Sequence, residues 1–141
     1  MLARVKLIIG TDEDRAVVHA IAKRLEEKGH SARVLPVGPW GRVATEVARA
    51  VAGGDVDQGV VCCWTGTGVT IAANKVRGVR AALCHDTSSA RLARQHNDAN
   101  VLALGARLIG EEAALDTLQA FLSTGFDGGE RHARRVGKLG Q

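Results

Sequence analysis

Five short apolar, β-branched runs punctuate the chain: Val5 to Ile9, Ala32 to Val37, Gly59 to Cys63, Val79 to Cys84 and Asn100 to Leu104. None alternates cleanly between apolar and polar positions, as a strand with one wet face would. They therefore predict strands covered on both sides in a parallel sheet. Between the runs the period lengthens to that of a helix. Val17, Ile21 and Leu25, with Ala22 beside them, form one stripe that closes at Gly29; Val43, Val47 and Val51 form another that closes at Gly53 and Gly54, where glycine suits the left-handed residue after a helix. Val69, Ala72, Ala73 and Val76 mark a third helix. Asp86 caps a fourth ahead of Ala90 and Ala93, and Glu111 and Glu112 open a fifth that carries Leu115, Leu118 and Leu122, with the acids at the positive helix end. Strand and helix alternate five times through short connections, which predicts a doubly wound α/β sandwich with its ligand at the carboxyl ends of the strands.

Composition narrows the class without naming the chemistry. A chain of 141 residues is the size of one domain able to bury a core, and 45% apolar with 24% charged residues is ordinary globular usage. Aromatics are scarce at 3%, so the core is expected to be aliphatic. No apolar stretch approaches the ~18 residues of a membrane span, and "MLARVKLIIG" is too short in its apolar run for a signal peptide, so a cytoplasmic protein with no membrane partner is expected. Three cysteines, two of them adjacent, make a disulfide framework unlike this chain and point to reduced thiols. The net charge of +4 gathers partly in the tail "ERHARRVGK". That patch lacks the interleaved aromatics or binding module of a nucleic-acid protein, and no nucleic-acid partner is expected.

Chemistry concentrates in "CWTGTGVTIAANK". Glycines there let backbone N–H groups approach a ligand, and the following helix aims its positive end at the same spot, as an anion site requires; a purely structural strand-to-helix turn remains the alternative. Gly66-Thr67-Gly68 lacks the third glycine of a dinucleotide fingerprint and the Gly-Lys-Ser/Thr of a P-loop. Adjacent strand residues face opposite ways, so Cys62 is expected to pack into a helix layer while Cys63 emerges at the turn. A thiol at a helix N-terminus loses its proton more readily and can act as base or nucleophile, although filling apolar space is the commoner fate of a free cysteine. A metal site built from Asp12, Cys63, Cys84 and His85 lacks the usual ligand spacing, and no metal is expected. In "ARQHNDAN", His96 and Asn97 end a helix; the imidazole can transfer protons near neutrality or simply stabilise the helix terminus. Arg107 follows the fifth strand, and Arg131 and Arg135 lie one turn apart on a terminal helix, either as phosphate ligands or as a solvated basic face.

The stretches "AVAGGDVDQGVV", "CWTGTGVTIAANKVRGVRAALCHD", "SARLARQHNDANVLALGARLIG" and "GGERHARRV" together resemble the type B ribose-5-phosphate isomerase and galactose-6-phosphate isomerase family, from Ala48 to Val136. That resemblance implies a Rossmann-like three-layer αβα sandwich over residues 1–141. It also implies a tail, about 128–141, packed on a neighbouring subunit, and a homodimer or homotetramer whose active sites are shared between subunits. No cofactor and no metal are expected. Position by position, Cys63 resembles the base that moves a proton between C1 and C2, with the Thr65 hydroxyl beside it. Gly66, Thr67 and Gly68 resemble the anion hole for an enediolate. His96 resembles the residue that opens the sugar ring, Asn97 a substrate contact, and Arg107, Arg131 and Arg135 phosphate ligands. The implied activity is aldose–ketose isomerisation of a sugar phosphate, ribose 5-phosphate by default.

Three places depart from the family pattern. "GTDEDR" keeps Asp12 but has Glu13 where histidine is expected; "PWG" puts Trp40 at a tyrosine position and loses an aspartate to Pro39; Trp64 replaces the glycine beside the cysteine. All fall around the expected sugar pocket. They point to altered substrate choice, with packing as the plainer account of the tryptophans. An inactive paralogue that binds sugar phosphate or partners another subunit is the second reading, and a nucleotide-binding protein the third.

Overall fold

The computed structural model describes residues 3–139; residues 1, 2, 140 and 141, at the ends of the expected domain and tail, lie outside the described residues. The elements run β1 (Lys6–Thr11), α1 (Ala16–Glu27), β2 (Ser31–Val34), α2 (Trp40–Ala52), β3 (Gln58–Cys63), α3 (Thr67–Asn74), β4 (Ala81–Leu83), α4 (Thr87–Asn97), β5 (Val101–Gly105), α5 (Glu111–Ser123) and α6 (Glu130–Gly137). All strand pairs are parallel, in the order β2-β1-β3-β5-β4.

The apolar runs divide between two layers by strand parity. Leu7, Ile9, Val60, Cys62, Leu102 and Leu104 face α1, α4 and α5, where they meet Ile21, Leu25, Ala90, Leu118 and Phe121. Ile8, Val61, Cys63, Val101 and Ala103 face α2 and α3, against Val47, Val51, Val69 and Ala73. Both faces of the central strands are thus dry, which explains why their sequences read as unbroken apolar runs. Gly29 and Gly54 take left-handed backbone after α1 and α2, and Asp86 caps α4 through a reciprocal pair of bonds with Ser89.

Two strands are shorter than their apolar runs predict. β2 ends at Val34, before Pro36, which has no N–H for a ladder. Val79 belongs instead to a turn, its N–H donating to the Val76 carbonyl, so β4 starts at Ala81. Beyond the five repeats, α6 lies across the end of α4 with none of its residues buried.

Candidate active site

The site is built where the carboxyl ends of β1, β3 and β5 lie side by side. Thr11 is level with Cys62, and Cys63 with Gly105, so the loops Asp12-Glu13, Trp64-Thr65-Gly66 and Ala106-Arg107 emerge together. The chain runs from β1 outward to β2 and returns to β3 on the other side, making this the topological switch point at which open α/β sheets bind ligands. Two main-chain bonds join the second and third loops: Ala106 N–H to the Cys63 carbonyl at 2.8 Å and Arg107 N–H to the Trp64 carbonyl at 3.1 Å.

Two glycines let the loops cross. Gly66 has φ +83°, and a Cβ there would lie 2.5 Å from Leu83 Cδ1 and 2.9 Å from the Gly105 nitrogen; a Cβ on Gly105 would lie 2.6 Å from the Thr65 carbonyl oxygen. Gly68 serves Trp40, whose indole carbons would stand 3.0–3.2 Å from an added Cβ. The glycines read from sequence as openings for a ligand therefore also answer to chain crossing and aromatic packing. α3 begins after Gly66, which has no side chain to cap it; the Thr67 N–H donates to Thr65 Oγ1 at 3.3 Å, and the N–H groups that follow in the first turn are left to an anion. Above it, the Thr65 and Thr67 hydroxyls share a 2.8 Å hydrogen bond.

The Cys63 side chain does not stand open at the turn, and that expectation is corrected. It is 7% exposed, because strand parity points it into the α2/α3 layer and the loop closes over it. Its sulfur is nonetheless not wrapped in aliphatic groups alone: Sγ accepts the Gly66 N–H at 3.2 Å, directly under the start of α3. The other thiols are ordinary core. Burial first, then the nearby Cys63 and Asp12 charges, pushes Cys62 up to about 12. Cys84, on the same face as Cys62, is pushed up to about 11 by burial, against a Ser89 hydrogen bond that lowers it. Cys63 and Cys84 thus lie in opposite layers, and among the described residues no cluster of three His, Cys, Asp or Glu is placed to hold a metal ion.

Acid and base are paired at the rim. Arg15 donates Nε and Nη2 to Glu13 Oε2 at 2.8 and 2.5 Å, and Arg107 donates Nη2 to Oε1 and Oε2 at 3.1 and 3.2 Å. The Arg15 bonds, with a smaller contribution from Arg107, hold the Glu13 carboxyl below its ordinary range. Asp12 is pushed above its own, mainly by burial and next by the Glu13 charge. The Arg107 guanidinium lies 3.7 Å above the Trp64 ring centroid. Trp40 and Trp64 are about half exposed, the first against Gly68 and the second under Arg107.

The remaining candidates are elsewhere. His96 and Asn97 end α4 at the amino ends of β4 and β5, beside Asn100, whose N–H bonds the Arg80 carbonyl. Cys63 is level with Gly105 at the far end of β5, about 13 Å away along the strand. Asn97 lines a hollow of about 390 Å³ with Asn74, Arg80 and Ala81 on the edge of the sheet. α6 brings Arg131 and Arg135 to the His96 end, both exposed. His132, which the sequence reading passed over, stacks on His96 with centroids 4.6 Å apart, and its Nδ1 pairs with Asp127 Oδ2 at 3.2 Å. Its only sequence signal was a histidine between two arginines one turn apart.

The residues singled out from the sequence thus fall into two groups at opposite ends of the sheet. Over residues 7–139 the chain matches the family model described as Ribose/Galactose Isomerase. The chain belongs to the ribose/galactose isomerase family. Within the family it is 43% identical to ribose-5-phosphate isomerase B of Escherichia coli, over 93% of this chain and 91% of that protein. It is 41% identical to D-erythrulose-4-phosphate isomerase of Pectobacterium atrosepticum, over 95% and 93% of the two chains. The structure of Clostridium thermocellum ribose-5-phosphate isomerase B superposes with a TM-score of 0.91 at 42% identity, covering 96% of this chain and 95% of that one. The Rossmann-like sandwich implied by the sequence is this family's fold, and among the described residues no helix is long and apolar enough to cross a membrane.

Proposed function

We propose that this chain interconverts a phosphorylated aldose and its ketose through a cis-enediolate, with Cys63 as the base. The observation that carries the reading is the Cys63 sulfur under the start of α3, hydrogen-bonded to the Gly66 N–H at the joined ends of β1, β3 and β5. The Cys63 thiolate takes the proton from C2 of the open-chain aldose, and the C1 carbonyl oxygen takes up the electron pair. The same thiol returns a proton to C1, while the hydroxyl proton passes from O2 to O1 beside Thr65. The turn from Gly66 to Gly68 faces the oxygen on which charge develops; the Gly66 N–H holds Cys63 Sγ and the Thr67 N–H reaches Thr65 Oγ1, so the Gly68 N–H and the positive end of α3 carry the stabilisation, acting in the transition state more than in the ground state. His96 opens the ring by proton transfer and Asn97 touches the sugar. Arg107, Arg131 and Arg135 grip the phosphate, with Asp12, Glu13, Trp40 and Trp64 around the sugar.

His96, Asn97, Arg131 and Arg135 act in the partner's site, not their own. Their separation from Cys63 by the length of β5 supports a homodimer, alone or paired into a tetramer, with α6 reaching across to the neighbouring subunit. Three unpaired cysteines suit a reducing compartment such as the cytoplasm. Ribose 5-phosphate is the first substrate to try and a four-carbon sugar phosphate the second, since the relatives named above include one of each.

Incubation with a panel of aldose phosphates in heavy water tests the chemistry: deuterium enters the product carbon, and Cys63→Ala abolishes the exchange. Binding without exchange on every sugar would leave a binding module instead. Mixing inactive Cys63→Ala and His96→Ala chains tests the shared site. Random pairing restores about a quarter of the activity, because each mixed dimer keeps one intact site.

A further inference from the structure

Four charged side chains meet at the rim of the Cys63 site: Asp12, Glu13, Arg15 and Arg107. Asp14, the next acid, is taken up by His19. The two arginines hold Glu13 unequally. Arg15, two residues away in sequence, gives Oε2 two nitrogens at 2.8 and 2.5 Å. Arg107, from the loop after β5, shares one nitrogen between the two oxygens at 3.1 and 3.2 Å. Arg15 is therefore the holder of Glu13, and Arg107 the partner that can leave. Both members of the Glu13–Arg107 pair are about one third exposed, so dissolved anions reach it.

Trp64 makes such an exchange geometrically simple. Its ring covers one face of the Arg107 guanidinium, at 3.7 Å, and leaves the edge free to change acceptors without turning the plane. Carboxylate and phosphate both accept from that edge, with the same fork of parallel N–H groups. Nε and Nη1 of Arg107 make no hydrogen bond among the described residues, so an arriving phosphate finds donors there before Glu13 lets go. The Arg107 main chain is tied to Trp64, which fixes the exchange point relative to the start of α3.

We propose that Glu13 is an internal counter-anion that a ligand phosphate displaces from Arg107, and that this exchange sets the affinity for phosphorylated ligands. The inference rests on Arg107 being a phosphate ligand. Glu13→Gln keeps the shape and removes the competing charge. Calorimetric titration with inorganic phosphate then gives a dissociation constant roughly two- to fivefold lower than the wild type, the span expected for an exposed ion pair. Arg107→Met weakens binding, and in its background Glu13→Gln brings no gain. Asp14→Asn, a charge removed without touching Arg107, leaves affinity within error. Glu13→Ala repeats the measurement with no side-chain amide, and melting curves establish that each variant is folded.

Weaker or unchanged phosphate binding in Glu13→Gln overturns the inference, as does a gain that persists in Arg107→Met, since Glu13 would then act through its field alone. Binding indifferent to Arg107→Met overturns it too. The isomerase reading is judged separately. Wild-type protein that binds phosphate through Arg107 but exchanges no deuterium on any sugar fails that reading and leaves this one standing. Turnover with a phosphate affinity insensitive to Glu13 does the reverse.

Discussion

Gly66→Ala is the sharpest probe of the crossing on which the surroundings of Cys63 are built. Two penalties add. An alanine at φ +83° occupies left-handed backbone, at about 1–2 kcal/mol. Its methyl would sit 2.5 Å from Leu83 Cδ1 and 2.9 Å from two backbone atoms of Leu104 and Gly105, a clash that a side-chain rotation relieves only in part, adding about 1–3 kcal/mol. The total, about 2–5 kcal/mol, is a large share of the ~5–15 kcal/mol that a domain has. At about 3–4 °C per kcal/mol for a chain of this size, Tm falls by about 6–20 °C in differential scanning calorimetry. Any relaxation of the loop also carries the Gly66 N–H away from Cys63 Sγ, so the surviving folded protein loses about 10²-fold or more in kcat. Gly41→Ala is the control: nothing lies within 4 Å of a Cβ there, in the first turn of α2, and about 0.5–1 kcal/mol of added stability is expected. A Gly66→Ala protein that melted within about 2 °C of wild type with full turnover would refute both the crossing and the placement of chemistry upon it.

Other perturbations follow from the same geometry. Gly105→Ala, whose methyl would lie 2.6–3.2 Å from three backbone atoms of Thr65, destabilises by about 1–3 kcal/mol in urea unfolding, because no side-chain rotation relieves that clash. Cys62 and Cys84, pushed up to about 12 and about 11, resist iodoacetamide in the folded protein at mildly alkaline pH and react in denaturant, as peptide mass spectrometry reads directly. Asp12 binds its proton more tightly folded than unfolded, so its charge opposes folding at neutral pH; Asp12→Asn raises Tm there, and the difference vanishes as pH falls below 3.8. Asp86 has the opposite sign: its carboxylate, lowered by the Ser89 N–H, supports folding above 3.8 and loses that effect in acid, so Asp86→Ala lowers Tm at neutral pH and progressively less below it.

Much of the fold was legible because burial on both faces leaves its mark on every central strand. Val60 and Cys62 serve one layer and Val61 and Cys63 the other, and both layers are lined almost wholly by apolar side chains, with Thr117 a buried exception on α5. Glycines and caps marked helix ends for local reasons that sequence carries. What sequence does not carry is strand order. The insertion of β5 between β3 and β4 decides that Arg107 joins Cys63, while the helix direction before it sends His96 to the other end. Glu13 and Arg107 are 94 positions apart, and no local pattern announces their pairing. Cys63 lies deeper than its place in the sequence predicts for a related reason: parity gives which way it turns, but only the returning loop determines how far it is covered. His132 was missed because a single histidine on a basic helix has no meaning until α6 lands on α4.

On the proposed shared site, the placement of Cys63 and His96 at opposite ends of the sheet makes turnover a collective property. A lone polypeptide has a sulfur without an imidazole across from it, so specific activity should drop on dilution toward the concentration at which the pairs come apart. In that proposed arrangement selection acts on each chain twice, once for the chemistry it completes itself and once for the chemistry it lends to its neighbour.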